Sequence, residues 1–330
     1  MGTGHTTGET PSRAAAFAEA AAAAGLAPSV HNTQPWHWRV GADELDLYAD
    51  RTRQLTVADP HGHLLLLSCG AALHHARTAL AAQGWQAAVS RFPKPTEPDQ
   101  LARVTAADHT PVTAEAMRLF QAAEVRHADR RAVSETPVPP EAIDRLRSAA
   151  EAEGVHLHLV RPDQAADLAS AVAHADAVTV TDPAQRAETA HWVGGARDDG
   201  LGVPDSAIPS RPPRTGVPMR DFGRAGTLDP GAGHDRAAAY AVLFGAGDEP
   251  VDWLRAGEAL SAVWLTATNL GLSVLPLSSV IEVGAGGEAV RRMLSGLGQP
   301  YLVLRVGVAD PEHPGPPHTG RLPADTVIDT

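Results

Sequence analysis

Cysteine, aromatic side chains and long apolar runs are scarce in this chain, and each scarcity closes off a class of protein. A single cysteine, Cys69, excludes an internal disulfide framework and any cysteine-based zinc site. It lies inside the apolar run 64–70 and reads as a buried structural thiol. No run reaches the ~18 apolar residues of a membrane-spanning helix, and the polar N-terminus lacks the apolar segment of a signal peptide. A soluble cytoplasmic protein is expected. Basic residues are outnumbered 27 to 39, and the net charge of −12 argues against nucleic acid or an anionic membrane as partner. Aromatics make up only 4%, while alanine runs at 20–24 and 237–239 point to helices packed closely through small side chains.

What is present suits a globular protein. Its 43% apolar and 20% charged residues over 330 positions allow two domains, or one domain and an internal copy of itself. Residues 1–11 are expected to be disordered. Ser12 caps a helix that Gly25 closes. Strands follow at 36–40 and 44–48, turned by Gly41-Ala42-Asp43. A polar loop over 49–60 leads to a long helix at 62–83, stopped by Gly84, and then to strands near 85–92 and 101–106. The second half opens on a helix at 113–124 and the polar run 125–135. Pro137-Val138-Pro139-Pro140 starts another helix, followed by a strand at 155–160 and helices near 164–178 and 183–192. Residues 194–235 are rich in Gly and Pro without periodicity, which reads as a lid, a binding loop or disorder. Beyond them come a strand at 240–244, a long helix at 251–270 and a short strand at 272–275. A helix at 288–297, a strand at 301–308 and a Pro-rich, extended tail over 309–330 complete the chain.

An internal echo links the two halves. Gly70-Ala71-Ala72-Leu73, with Gly84 fourteen residues after its first glycine, matches Gly257-Glu258-Ala259-Leu260, with Gly271 at the same offset. In an alanine-rich chain this supports duplication only weakly by itself.

The stretch around which the chain is organised is Ala27-Pro28-Ser29-Val30-His31-Asn32-Thr33-Gln34-Pro35-Trp36-His37-Trp38. Its prolines end helices and fix φ, and its short polar side chains suit hydrogen bonding to a flat polar ligand better than core packing. It resembles the P-S-x-x-N-x-Q-P-W signature of the FMN-dependent nitroreductase superfamily, matched by Pro28, Ser29, Asn32, Gln34, Pro35 and Trp36. Arg126-His127-Ala128-Asp129-Arg130-Arg131 reads as a solvated loop or as a phosphate site, since guanidinium groups bind phosphate bidentately and keep their charge. It is similar to the superfamily's R-[RH]-S-x-[KR] motif, matched by Arg126, His127 and Arg130, with Ala128 in place of the hydroxyl. Residues 271–279 resemble the G-L-G-x-x-P-I-x-G segment, with Gly271 and Pro276 matching and Ser273 and Ser279 replacing glycines. Residues 300–307 resemble the last strand of that fold, and Arg321 falls where members carry a basic residue. The pattern as a whole most closely resembles the Acg-like actinobacterial branch.

The resemblance implies an α+β, nitroreductase-like fold built as a single-chain pseudo-dimer. Its N-terminal half would be 12–124 and its C-terminal half 125–330, with 194–235 as a lid-like insertion, clasped across one FMN site. Pro28, Ser29, Asn32 and Gln34 would hold the isoalloxazine edge, and Arg126, His127, Arg130 and Arg321 the phosphate. The backbone of Pro276, Leu277, Ser278 and Ser279 would face flavin N5. No side chain is assigned as a general acid, because the flavin carries the chemistry and solvent supplies the proton. NAD(P)H would be the reductant, and a nitroaromatic, quinone or related small molecule the acceptor. A second reading stays open: an FMN-binding protein that stores or sequesters flavin with little turnover. Arg211, Arg214, Arg220 and Arg224 put positive charge on the insertion, and Trp192, Val203, Ile208, Val217, Met219 and Phe222 give it apolar anchors. The expected assembly is a monomer or a weak homo-oligomer.

Competing motifs fail. The glycines at 245–247 and 284–287 supply no G-x-G-x-x-G at a strand-to-helix junction, and neither a G-x-S-x-G elbow nor a P-loop is present. His61, His63, His74 and His75 lack carboxylate or cysteine partners at helical spacing, so no metal is expected.

Overall fold

Alternation of capped helices with short apolar strands sets the element order. The computed structural model describes residues 12–309 and 316–330, so the disorder expected of 1–11 lies outside the described residues. The Ser12 hydroxyl accepts from the Ala15 amide and opens α1 (Arg13–Ala24). Strands β1 (Trp36–Val40) and β2 (Glu44–Ala49), helix α2 (His63–Ala82), and strands β3 (Trp85–Arg91) and β4 (Gln100–His109) follow. Then come α3 (Ala114–Val125), α4 (Pro140–Ala152), β5 (His156–Leu159), α5 (Ala165–Thr181) and α6 (Pro183–Trp192). After the long insertion, β6 (Ala239–Gly245), α7 (Pro250–Asn269) and β7 (Leu272–Leu277) lead to α8 (Ser279–Glu282) and α9 (Gly284–Met293). Strand β8 (Gln299–Val308), α10 (Ala324–Val327) and β9 (Ile328–Asp329) end the chain.

The strands form two sheets, ordered β3-β4-β2-β1-β9 and β5-β6-β8-β7. All pairings are antiparallel except β1 with β9, where Trp38 faces Ile328. The tail, expected to be extended throughout, therefore returns across the molecule to extend the first sheet. Helices α2 and α7 pack on each other between the sheets. One apolar core runs from Phe17, Trp36 and Leu47 through both helices to Leu243, Tyr301 and Leu304. The second sheet is buried on its other face as well, where Val242 and Val303 meet Leu168, Val172 and Val290. Apolar side chains thus alternate to both faces of β6 and β8, which is why these strands read as continuous apolar runs.

The echo noted in the sequence has a geometric cause. A Cβ on Gly70 would stand 1.9 Å from the Leu254 carbonyl oxygen, and a Cβ on Gly257 would stand 1.9 Å from that of Leu67. Each glycine lets its helix approach the backbone of the other, and each touches the residue three before its counterpart. Gly84 and Gly271, with φ of +82° and +71°, then stop the two helices in the same left-handed way. The α+β class expected from the sequence is what the structure shows, with two sheets flanking a reciprocal α2–α7 contact.

Candidate functional site

The loop between α1 and β1 is unusual in its backbone. His31, Asn32 and Gln34 all have positive φ, 50°, 56° and 49°, a conformation that costs a side-chain-bearing residue roughly 1–2 kcal/mol each. The loop is held there from several sides. The Gln34 amide donates to the Ser29 hydroxyl (2.9 Å), Val30 N to the Ser68 hydroxyl (3.3 Å), and Arg53 to the Gln34 and Trp36 carbonyls (3.0 and 2.9 Å). The Asn32 amide nitrogen reaches the carbonyls of Gly200, Gly202 and Gly320 at 3.0–3.1 Å, and its oxygen accepts from Arg321 (3.2 Å). Gln34 donates to Gly200 O (2.8 Å) and accepts from Leu322 N (3.0 Å). These two amides therefore stitch the loop to the start of the insertion and to the tail.

The other motifs converge on the same place. Ala128 bridges Val274 at the open edge of β7, which lays the arginine stretch beside residues 276–279. Arg305 on β8 fixes that stretch from beneath: it donates to the carbonyls of Asp129 and Arg131 (2.7 Å each) and pairs with Asp235 (2.8 Å), both side chains being fully buried. Between these segments lies a cavity of about 780 Å³, inside the roughly 300–1,000 Å³ range of small-molecule sites. Pro28, Ser29, Asn32, Arg126, His127 and Arg130 line it, as do the four residues 276–279 and Arg321. Gln34 does not; it is buried behind the wall. Residues 207–213 and 218–222 of the insertion close another side, with Arg211, Arg220 and Arg224 facing the cavity and Arg214 turned away toward His234 (3.4 Å).

The arginines fall into two groups. Arg126 and Arg321 both donate to the Leu26 carbonyl, at 3.0 and 3.2 Å, and Arg126 lies 4.5 Å over the Trp264 ring. Among the described residues neither has a carboxylate at ion-pair distance, and the Nε of each is buried without a hydrogen-bond partner. Burial, with Arg321 alongside, drives Arg126 well below the usual arginine pKa, and burial alone pushes Arg321 down to about 10. Arg130 belongs elsewhere, 5.4 Å over the Phe222 ring, with burial and Arg220 pushing it down to about 10. Arg220 comes from the insertion, pairs with Glu282, and lies 3.4 Å from both the His31 ring and the Ser278 hydroxyl.

Three wall residues carried no signal as site residues in the sequence. His31 sits inside the signature at an unspecified position, and its ring meets Phe222 edge-on at 6.0 Å. Burial, Arg220 and Arg130 hold it neutral. Asp176 projects from α5, and Trp264 from α7; both read as ordinary helical positions until the chain folds. Outside the cavity, His74 and His75 share the buried Ser261 hydroxyl at 2.8 and 2.9 Å, and His63 stacks on Trp253 at 4.4 Å.

No protein-family model matches the chain. The Mycobacterium tuberculosis (strain H37Rv) protein provisionally named NAD(P)H nitroreductase Rv3131 is 40% identical over 298 residues, 88% of this chain and 85% of its own. The protein of the same strain provisionally named NAD(P)H nitroreductase acg is 34% identical over 305 residues, 92% of each chain. Among solved structures, the FMN and NADPH-dependent nitroreductase NfnB from sphigopyxis sp. strain HMH gives a TM-score of 0.40 at 20% identity, over 64% of this chain and 98% of that one. With 34–40% identity to the two mycobacterial proteins over nearly its whole length, the chain belongs to the nitroreductase family of Rv3131 and Acg.

Proposed function

We propose that the cavity binds one FMN per chain and that the protein is an FMN-dependent oxidoreductase, taking hydride from NAD(P)H and passing electrons to a quinone, a nitroaromatic or a related acceptor. The observation that carries this reading is the Arg126–Arg321 pair. A buried guanidinium, Arg126, beside a half-buried one, Arg321, with no carboxylate between them, is costly by several kcal/mol for the buried group unless an anion completes the site. Their orphaned Nε–H groups and fork geometry suit a phosphate dianion. In this reading Arg126 and Arg321, with His127 beside them, hold the phosphate. Pro28, Ser29 and Asn32 meet the polar edge of the ring, while Gln34 braces the wall behind them. Arg130 lies toward the ring with the backbone of Pro276, Leu277, Ser278 and Ser279. When bound, the flavin supplies the two-electron chemistry, and the chain supplies orientation, charge and exclusion of water.

The halves 12–124 and 125–330 meet across this site, and the insertion 194–235 acts as its lid. One observation favours the storage reading as a second possibility: Arg220 ties the insertion to Glu282, Ser278 and the His31 loop at once. Anaerobic mixing of the FMN-loaded protein with NADPH and with NADH decides between them. Bleaching of the flavin absorbance within seconds by either reductant is expected of the enzyme. A flavoprotein that neither reductant bleaches is a store, and a chain that takes up no FMN, or two per chain, overturns both readings.

A further inference from the structure

We propose that Asp176 is the residue that gives the acceptor its proton, an inference that rests on the flavoenzyme reading above. Asp176 stands on the cavity wall, as does Ser279, whose side chain favours its charged form. That serine ends the segment 276–279, and Arg220 and Asp221 of the insertion also act on Asp176, which places it where that segment and the insertion meet on the wall. The other titratable side chains on the wall are badly placed or in the wrong state. Burial and neighbouring cations hold His31 and His318 neutral. His127 faces His318 at 5.8 Å, at the Arg126–Arg321 end, and its Nδ1 is engaged with the Val125 carbonyl (3.1 Å). Asp221 is exposed to solvent. The charged groups that face Asp176 are Arg220 and Asp221 from the insertion and Glu282 from α8. Burial raises its carboxyl to about 6, with Asp221 and Glu282 adding to the rise and Arg220 and Ser279 opposing it. A carboxylic acid in that range is protonated often enough near neutral pH to act as a general acid.

The step balances without a further reagent. A quinone becoming a hydroquinone gains two electrons and two protons. A hydride equivalent from NAD(P)H brings both electrons and one proton. The carboxyl O–H bond of Asp176 breaks, a new O–H bond forms at the quinone oxygen, and the carboxylate left behind is reprotonated by water at the cavity mouth.

The test uses Asp176→Asn and Asp176→Glu in the full chain. Infrared titration of the FMN-free protein should show carboxyl absorption lost near pH 6 from two groups, Asp176 and Asp59, the latter also raised to about 6 by burial. Asp176→Asn should remove one of them. In stopped flow, NAD(P)H-reduced holoprotein is then mixed with a quinone across pH 5.5–8.5. The rate of oxidation should fall as pH rises above about 6. Asp176→Asn should be slower by at least roughly a hundredfold at pH 6 and lose this dependence, while Asp176→Glu keeps it. A holoprotein that NADH and NADPH both fail to reduce defeats the flavoenzyme reading, and this proposal with it. Normal reduction followed by unchanged oxidation in Asp176→Asn, or an infrared titration the variant does not alter, overturns the proposal alone.

Discussion

Arg126 shows how a single side chain can be wrong for the fold and right for a ligand. Its guanidinium is buried, faces Arg321, and is offered only the Leu26 carbonyl and the Trp264 ring. Replacing such a cation with an apolar side chain of similar length should relieve the empty protein. Arg126→Met is therefore expected to raise the melting temperature of the FMN-free chain. It should also raise the Kd for FMN about ten- to a hundredfold, the loss of a charge-assisted hydrogen bond worth roughly 1.5–3 kcal/mol. Differential scanning fluorimetry and a flavin titration check the two signs; a lower melting temperature with unchanged affinity would make Arg126 a structural strut. At this scale the sequence motifs pointed to the cavity but not to its pairings. The resemblance implies one phosphate set of Arg126, His127, Arg130 and Arg321. In the fold Arg126 does meet Arg321 from the tail, while Arg130 meets Arg220 from the insertion. Asn32 lines the cavity and Gln34 does not, and both amides put most of their hydrogen bonds on backbone. Such partners come from distant chain segments, and no local pattern encodes them.

Elements were legible where their ends are chemically marked. Ser12 and Thr113 cap helices through their hydroxyls, Pro140 opens α4, and Gly84 and Gly271 close α2 and α7. The expected 288–297 helix begins four residues earlier, at Gly284, because packing overrides propensity there. A Cβ on Gly286 would stand 2.3 Å from the Val280 carbonyl, so only glycine permits that turn. Strand β9, two residues long, has no periodicity to read. The α2–α7 contact offers the sharpest test of the paired halves. Gly70→Ala and Gly257→Ala each push a methyl onto backbone that no rotamer can move, so each should cost about 1–3 kcal/mol or more. Their effects should be similar in size, as the reciprocal geometry requires. Urea unfolding of both variants measures this, and a neutral result for either would mean the helices lie farther apart.

Over the whole molecule, the insertion is the segment that closes one side of the cavity. Its composition and apolar anchors lead the sequence to an expected lid, but a Gly- and Pro-rich stretch without periodicity does not encode where it docks. The structure gives it a neck: Pro209 bridges Leu228, and the Gly226 amide donates to the Pro209 carbonyl (3.1 Å). Below the neck, Gly200, Gly202 and Val203 belong to the framework, bonded to Asn32 and Gln34 or packed on Leu55 and Trp192. Above it, residues 210–227 carry Met219, Arg220 and Phe222 onto the cavity. The excursion can thus be removed across its neck, joining 209 to 228 through two glycines, without disturbing the loop that Asn32 and Gln34 hold. A lid both buries flavin surface and blocks the approach of a hydride donor, so its removal should change two quantities together. FMN should dissociate faster, and reduction of the remaining bound flavin by NADPH should accelerate, each by about tenfold or more. Loosened FMN with no faster reduction would mean that the excursion only braces the cofactor. Faster reduction with unchanged affinity would make it a gate that never touches the flavin. If neither moves, residues 210–227 close nothing, and the storage reading loses its physical basis.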